Sequence, residues 1–353
     1  MTMTSVSRFA PISSASRFPS RLPALALALT LALALALLPG LSQAYSTGVE
    51  VDRFVEEMVS KHGFEAEAVR NTLALAEHNP QVIRLITPPG KRQPRSWQKY
   101  RGNFLDQQRI NGGVEFWQRH EALLRLASER FGVPAEIIVA IIGVETFYGR
   151  NTGNFQTLSA LATLAFDYPP RAELFRRELG ALFILAREQN RAVTDYFGSY
   201  AGAIGYPQFL PSSIRAYAVD FDDNGSIDFD DSAVDAIGSV ANYLHVHGWE
   251  AGAPVAERAR LAADSQISSL IAAGIEPTLS PQTLAVAGVS TAAGESAAGI
   301  ATLVDLETPG QATEYWLGYR NFYVITRYNR SSFYAMAVFE LAEAVRKARI
   351  VAN

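Results

Sequence analysis

The chain has 353 residues, is 48% hydrophobic, 10% aromatic and 19% charged, and carries a formal net charge of −4 with no cysteine. That length supports one large domain, or two to three lobes, around a sizeable core. The acidic balance argues against charge-driven binding of nucleic acid or anionic membrane, and the missing cysteine excludes disulfides and a lipidated-cysteine anchor.

Residues 1–44 read as an export signal. Arg8, Arg17 and Arg21 precede a Leu/Ala run over 24–38, and Leu41-Ser42-Gln43-Ala44 offers small residues at the two positions a signal peptidase reads. Cleavage is expected after Ala44, which removes those three arginines and takes the net charge from −4 to −7. An uncleaved anchor is the alternative, but the apolar run is shorter than a comfortable span of about 20 residues. A soluble, exported chain is therefore expected.

From Val49 the pattern predicts an amphipathic helix, with Val51, Phe54, Val55, Met58 and Val59 on one side and Asp52, Glu56 and Glu57 on the other. A second helix is expected over 65–78, with Pro80 and Pro88-Pro89-Gly90 ending the unit. The next stretch brings Trp97, Tyr100 and Phe104 close together. Gly112-Gly113 reads as a break before one long helix carrying Val114, Trp117, Leu123, Leu124, Leu126 and Phe131.

Residues 135–149, AEIIVAIIGVETFYG, are apolar on nearly every face and predict a helix buried inside a domain. One carboxylate, Glu145, lies within it. With Pro134 suited to the first helical position and Gly149 just past the end, Glu145 falls in the last turn. Low dielectric and the negative helix end both disfavour its ionised form. A carboxyl that keeps its proton is what a general acid needs near neutral pH, whereas the plainer alternative is a structural glutamate at a wet helix end.

After a loop come a short apolar helix, LSALATLAF, a turn at Pro169-Pro170, and a helix to about Arg187. Residues 198–213, GSYAGAIGYPQFLPSS, hold close-spaced glycines that let backbone approach backbone or ligand, with the amide of Gln208 at a turn. A helix over 213–219 then enters an acidic loop. Asp220, Asp222 and Asn224 occupy positions one, three and five of an EF-hand order, Gly225 position six, Ser226 position seven and Ile227 position eight. Asp231 stands at position twelve where glutamate is the rule, and Asp235 offers an alternative oxygen. Structural calcium pinning two helices is the favoured reading over a solvated acidic turn. On the exit helix, His245 and His247 point to different faces, so a joint metal site is not expected.

From Gly252 the composition shifts to small and turn-forming residues. LAVAGVS, ATLVDL and EYWLGYRNFYVITRY carry the alternation and β-branched content of strands, so residues 253–323 are expected to form a small antiparallel sheet. SSFYAMAVFELAEAVRKARI closes the chain as a helix capped by Ser331 or Ser332.

Four separated motifs, GVETFYGRNTGNFQTLSALATLAFDYPPRAELFRREL, GSYAGAIGYPQFLPSS, the acidic loop running into DAIGSVANYL, and NFYVITRYNRS, together resemble a lytic murein transglycosylase of the B type. The resemblance covers essentially the whole mature chain. It implies a mainly α, lysozyme-like helical core with an additional helical lobe, a small antiparallel β domain and an EF-hand-like loop. The division it implies is 45–120 for the N-terminal lobe, 121–252 for the core with its loop at 220–235, 253–323 for the β domain, and 324–353 returning to the helices. It also implies action on peptidoglycan strands; the absent cysteine departs from the lipid-anchored members, so a soluble periplasmic monomer without a stable membrane anchor is expected. Whether cell-wall synthesis or division proteins are further partners stays open.

By the same resemblance Glu145 is the single catalytic acid/base, and Tyr100, Arg171, Ser199, Gln208, Tyr243, Tyr328, Asn329 and Tyr334 match positions lining a glycan cleft. Ser199, Gln208 and Asn329 are expected to orient the sugar, Tyr243 and Tyr328 to hold Glu145, and Arg171 either to meet a substrate carboxylate or to form a helix-start salt bridge. Pro207 stands where glycine is common in the family and stiffens the approach to Gln208. One carboxylate in so apolar a setting fits a substrate-assisted route to 1,6-anhydromuramyl ends. The rivals are a lysozyme-type hydrolase and a calcium-stabilised glycan-binding scaffold without turnover. No cofactor is expected in the chemistry.

Overall fold

A computed structural model describes residues 45–90, 94–230 and 232–352; the export signal, the Asp231 position and its part in the metal set lie outside the described residues. The chain enters through α1 (Val49–His62), which buries Val51, Phe54, Val55 and Met58, and α2 (Ala66–Leu73). The helix expected to reach residue 78 ends at Leu73, and Pro80 opens a further helix, α3 (Pro80–Ile86). Asn79 Oδ1 accepts the Gln81 and Val82 amides there, and proline tolerates a first helical position that needs no N–H.

After α4 (Trp97–Gly102), the glycine pair expected to break the chain lies inside α5 (Gln107–Arg119), and the break falls instead at His120, before α6 (Glu121–Phe131). Packing explains the difference. A Cβ on Gly113 would stand 2.6 Å from both the Tyr148 hydroxyl and Val345 Cγ2. The glycines make room for a neighbour and cost the helix about 1 kcal/mol each in propensity.

The central helix, α7 (Ala135–Thr146), is buried along most of its length, from Ile137 to Val144 and at Thr146. A two-stranded ribbon, β1 (Phe155–Gln156) with β2 (Phe197–Gly198), brackets α8 (Thr157–Asp167) and α9 (Ala172–Glu188). The acidic loop lies between α10 (Pro211–Tyr217) and α11 (Val234–Val246).

The sheet is smaller than the pattern predicts. It runs in the order β4-β3-β6-β5, all antiparallel, from β3 (Ala256–Leu261), β4 (Val289–Thr291), β5 (Thr302–Leu306) and β6 (Glu314–Gly318). Short helices α12 (Ser268–Ala272) and α13 (Pro281–Val286) intervene, so LAVAGVS is half helix. The run EYWLGYRNFYVITRY is strand only to Gly318 and continues as α14 (Arg320–Tyr328). Phe322, Val324 and Ile325 are buried there, and buried Asn321 clamps the 250–253 turn through Glu250 N, Glu250 O and Ala253 O. Tertiary burial overrides the β propensity. The last helix, α15 (Ser332–Ala352), capped by Ser331 Oγ on the Tyr334 amide, lies along α7 and α5.

Candidate active site

The site is built on the last turn of α7. Pro134, expected at the first helical position, is the N-cap, and the helix stops at Thr146, three residues before Gly149. Phe147 and Tyr148 take left-handed backbone (φ 52° and 61°), with their amides on Gly143 O and Ile142 O. Two such non-glycine residues cost on the order of 1–3 kcal/mol each, so the surroundings must hold them. They do: the Tyr148 ring fills the space left by Gly112, Gly113 and Gly143, and its hydroxyl donates to Arg109 O at 2.9 Å.

This terminus presents Glu145, half-buried, to a set of tyrosines. Tyr334, from α15, is 2% exposed and donates its hydroxyl to Glu145 Oε1 at 2.5 Å. Burial raises the proton affinity of Glu145 to a pKa of about 7, and the Tyr334 hydrogen bond opposes the rise. No carboxylate among the described residues contributes to that shift. The helix end, expected as a second cause, is not among the causes of the rise, and one carbonyl of that last turn, Gly143 O, accepts from Arg109 Nη1 at 2.6 Å. Burial and the negative charge of Glu145 both push the hydroxyls of Tyr334, Tyr328 and Tyr100 upward, so all three stay protonated donors.

Tyr328, at the end of α14, lies parallel to Tyr334 at 6.5 Å between ring centroids and donates its hydroxyl to Pro207 O at 2.8 Å. Tyr243 packs on Tyr328 at 4.8 Å and gives its hydroxyl to Arg327 O at 2.7 Å. Neither hydroxyl is on the carboxyl, so the residue that holds Glu145 is Tyr334, and the expectation for Tyr243 and Tyr328 is corrected accordingly. Their hydroxyls are already engaged by backbone carbonyls.

Gln208 has left-handed backbone (φ 51°), and its Nε2 donates to Thr152 O and Gly205 O at 2.9 and 3.0 Å, which turns the amide oxygen the other way. Gly153 meets Gly198 backbone so closely that a Cβ would stand 2.1 Å from Gly198 O, and Ser199 Oγ beside it accepts the Ala203 amide. Glu145, Tyr334 and Tyr328 thus follow one another in space, and the chain of contacts runs on through Pro207 O to the turn of Gln208 and through Thr152 O and Gly153 to the backbone of Ser199. Tyr100 joins through Phe333, 5.7 Å away. Asn329 is exposed at the end of α14. Arg171 is exposed in the turn before α9, its guanidinium over the Phe175 ring at 5.4 Å, and pairs with no carboxylate among the described residues. The sequence pattern gives no signal for Arg109 or Thr146, which the structure adds to the surroundings of Glu145.

In the acidic loop, carboxylate oxygens of Asp220, Asp222 and Asp235 lie within 4.8 Å of one another. Asp220 also accepts the Asn224 and Gly225 amides, Asn224 Oδ1 accepts the Ser226 amide and hydroxyl, and buried Asp235 accepts the Phe221 and Asp228 amides. Burial, then the charges of Asp222 and Asp220, push the Asp235 carboxyl upward. Three hard oxygen donors drawn together against their own repulsion suit a divalent cation such as Ca2+. His245 and His247 play no part: their ring nitrogens face Phe131 O and Tyr243 O.

Residues 47–343 match the family model described as "Transglycosylase SLT domain". The chain is 41% identical over 314 residues to membrane-bound lytic murein transglycosylase B of Escherichia coli, covering 87% of this chain and 85% of that one. Among solved structures it is similar to the soluble lytic transglycosylase SltB1 from Pseudomonas aeruginosa (45% identity, TM-score 0.76, 84% of this chain and 98% of that). It is also similar to the Escherichia coli lytic transglycosylase Slt35 in complex with calcium (41% identity, TM-score 0.76, 86% and 95%).

Proposed function

Since the chain belongs to the transglycosylase SLT-domain family and is a peptidoglycan lytic transglycosylase, we propose that Glu145 is its one acid and base. The observation that carries this reading is a carboxyl with a pKa near 7, hydrogen-bonded by the Tyr334 hydroxyl, close enough to Tyr328 and Tyr100 for its charge to act on both, and shifted by no other carboxylate among the described residues. Tyr334 binds Oε1, which leaves Oε2 to carry the acidic proton.

That proton passes to the oxygen linking N-acetylmuramic acid to N-acetylglucosamine, and the C1–O bond breaks as the muramyl acetamido oxygen closes on C1. Glu145, now a carboxylate, takes the proton of the muramyl C6 hydroxyl. O6 then bonds to C1 and displaces the acetamido oxygen, which leaves a 1,6-anhydro end and a reprotonated Glu145. No water is consumed. Ser199, Gln208 and Asn329 orient the acetamido group and ring, Tyr100, Tyr243 and Tyr328 wall the cleft, and Arg171 lies free to meet a substrate carboxylate.

Ca2+ is held by Asp220, Asp222 and Asp235 with Asn224, Ser226 and Asp231 completing the EF-hand-like loop, and its role is structural. The catalytic core spans 121–252, flanked by the lobes at 45–120 and 253–323 and closed by 324–353. The enzyme acts in the periplasm as a monomer after cleavage of its signal; among the described residues no helix is long and apolar enough to cross a membrane. Mass spectrometry of digested sacculi tests the reaction: anhydromuramyl ends are expected with the wild type and none with Glu145→Gln. Reducing muramyl ends would replace the reading with hydrolysis, and wall effects that survive Glu145→Gln would replace it with binding alone.

A further inference from the structure

The carboxyl that does the chemistry sits at a helix end that is conformationally costly, so something beyond the helix must fix it. The neighbour of Glu145, Thr146, is fully buried and its hydroxyl faces two carbonyls, Ile142 O at 3.2 Å and Tyr206 O at 3.1 Å. The same oxygen accepts the Gly149 amide at 3.0 Å. A hydroxyl has one proton to give. Ile142 O is already served by the Tyr148 amide, so the proton is best placed on Tyr206 O.

Tyr206 belongs to the 205–208 turn, which carries Gln208 and receives the Tyr328 hydroxyl on Pro207 O. On its other side the Tyr206 amide donates to Phe229 O at 3.0 Å, and a Cβ on Gly205 would stand 2.4 Å from that same carbonyl oxygen. The turn is therefore seated on the acidic loop below and bolted to α7 above. One alcohol joins the helix end bearing Glu145 to the turn bearing Gln208.

We propose that Thr146 is a positioning residue for the reaction: its hydroxyl locks the last turn of α7 to the 205–208 turn and so sets Glu145 against Tyr334 on one side and Gln208 on the other. This rests on Glu145 being the acid/base. Thr146→Val keeps the shape and removes the hydroxyl; Thr146→Ser keeps the hydroxyl. Misplacing a reacting group by a fraction of an ångström to 1 Å costs up to about a hundredfold. Thr146→Val is expected to lower kcat about tenfold to a hundredfold with KM within about twofold, to move the alkaline limb of the kcat profile as the Tyr334 bond loosens, and to be restored by Thr146→Ser. In the wild type, amide exchange at Gly149 and Tyr206 is expected to be as slow as in the core of α7.

A wild-type kcat for Thr146→Val, or a lower kcat with the alkaline limb unmoved, would overturn the proposal. So would failure of Thr146→Ser to restore activity, or fast wild-type exchange at Gly149, which needs no variant to fold. A wild type that forms no anhydro ends at all would instead strike at the transglycosylase reading, and the two failures are separate measurements.

Discussion

At the scale of single residues the proposed acid and base is a carboxyl whose charge the protein opposes. Its folded pKa of about 7 lies above the ordinary 4.5, so Glu145 adds to stability below the ordinary value and loses that contribution as pH rises through about 7. Two outcomes follow from the sign. The melting temperature of Glu145→Gln should gain on that of the wild type between about pH 4.5 and 7, and calorimetry at stepped pH reads the gap. Tyr334→Phe removes the hydrogen bond that favours the carboxylate, so the alkaline limb of kcat should move up by about one to two pH units, since a hydrogen bond to a charged group is worth about 1.5–3 kcal/mol. An unmoved limb would assign the pH dependence to another group. Glu145 was legible in the sequence because its neighbours in the chain are themselves apolar. Tyr334 could be reached only through family resemblance, because it lies 189 residues away and only folding brings the hydroxyl to the carboxyl.

Secondary-structure elements show where local pattern and global packing part company. Gly112-Gly113 and the β-branched run after Gly318 depart from their pattern for one reason: their local propensity is overruled by a partner far along the chain, Tyr148 and Val345 for the glycines, the 250–253 turn for α14. The buried helix, the strand at 302–306 and the closing helix are legible, because pattern and packing there agree. Gly113→Ala separates the two influences. Helix propensity alone predicts a gain of about 1 kcal/mol, but a Cβ 2.6 Å from two atoms predicts a net loss of about 1–3 kcal/mol, seen as a lower melting temperature. The acidic loop allows a similarly clean variant. Asp222 is exposed, whereas Asp220 and Asp235 also hold backbone amides. Asp222→Asn should raise the chelated protein's melting temperature slightly, because it relieves the repulsion on Asp235, and remove most of the rise that Ca2+ gives the wild type; an equal Ca2+ rise in both would take Asp222 out of the metal set.

For the whole molecule the decisive feature is that the proposed active site is completed by helix α15. Helix α15 brings Tyr334 to Glu145 and also supplies Phe333, Ala335, Met336, Ala337, Val338, Leu341, Ala342 and Val345 to the main core. Each large apolar side chain so buried stabilises by about 1.5–3 kcal/mol, and a domain's entire margin is about 5–15 kcal/mol. A chain ending at residue 331 should therefore fail to fold cooperatively, not merely lose a site residue. A chain ending at Arg346 keeps every one of those side chains and loses the Lys347–Glu343 pair and the contacts of Arg349, with Glu121 and over the Trp117 ring. Surface ion pairs are worth about 0–1 kcal/mol, and half-buried Arg349 adds the cover it gives the Trp117 ring. The shorter cut should thus unfold in one cooperative transition within a few degrees of the full chain and keep its anhydro-forming activity. Should both truncations melt alike, the final helix would be an appendage, and the placement of Tyr334 would need a different support from the one its buried face provides.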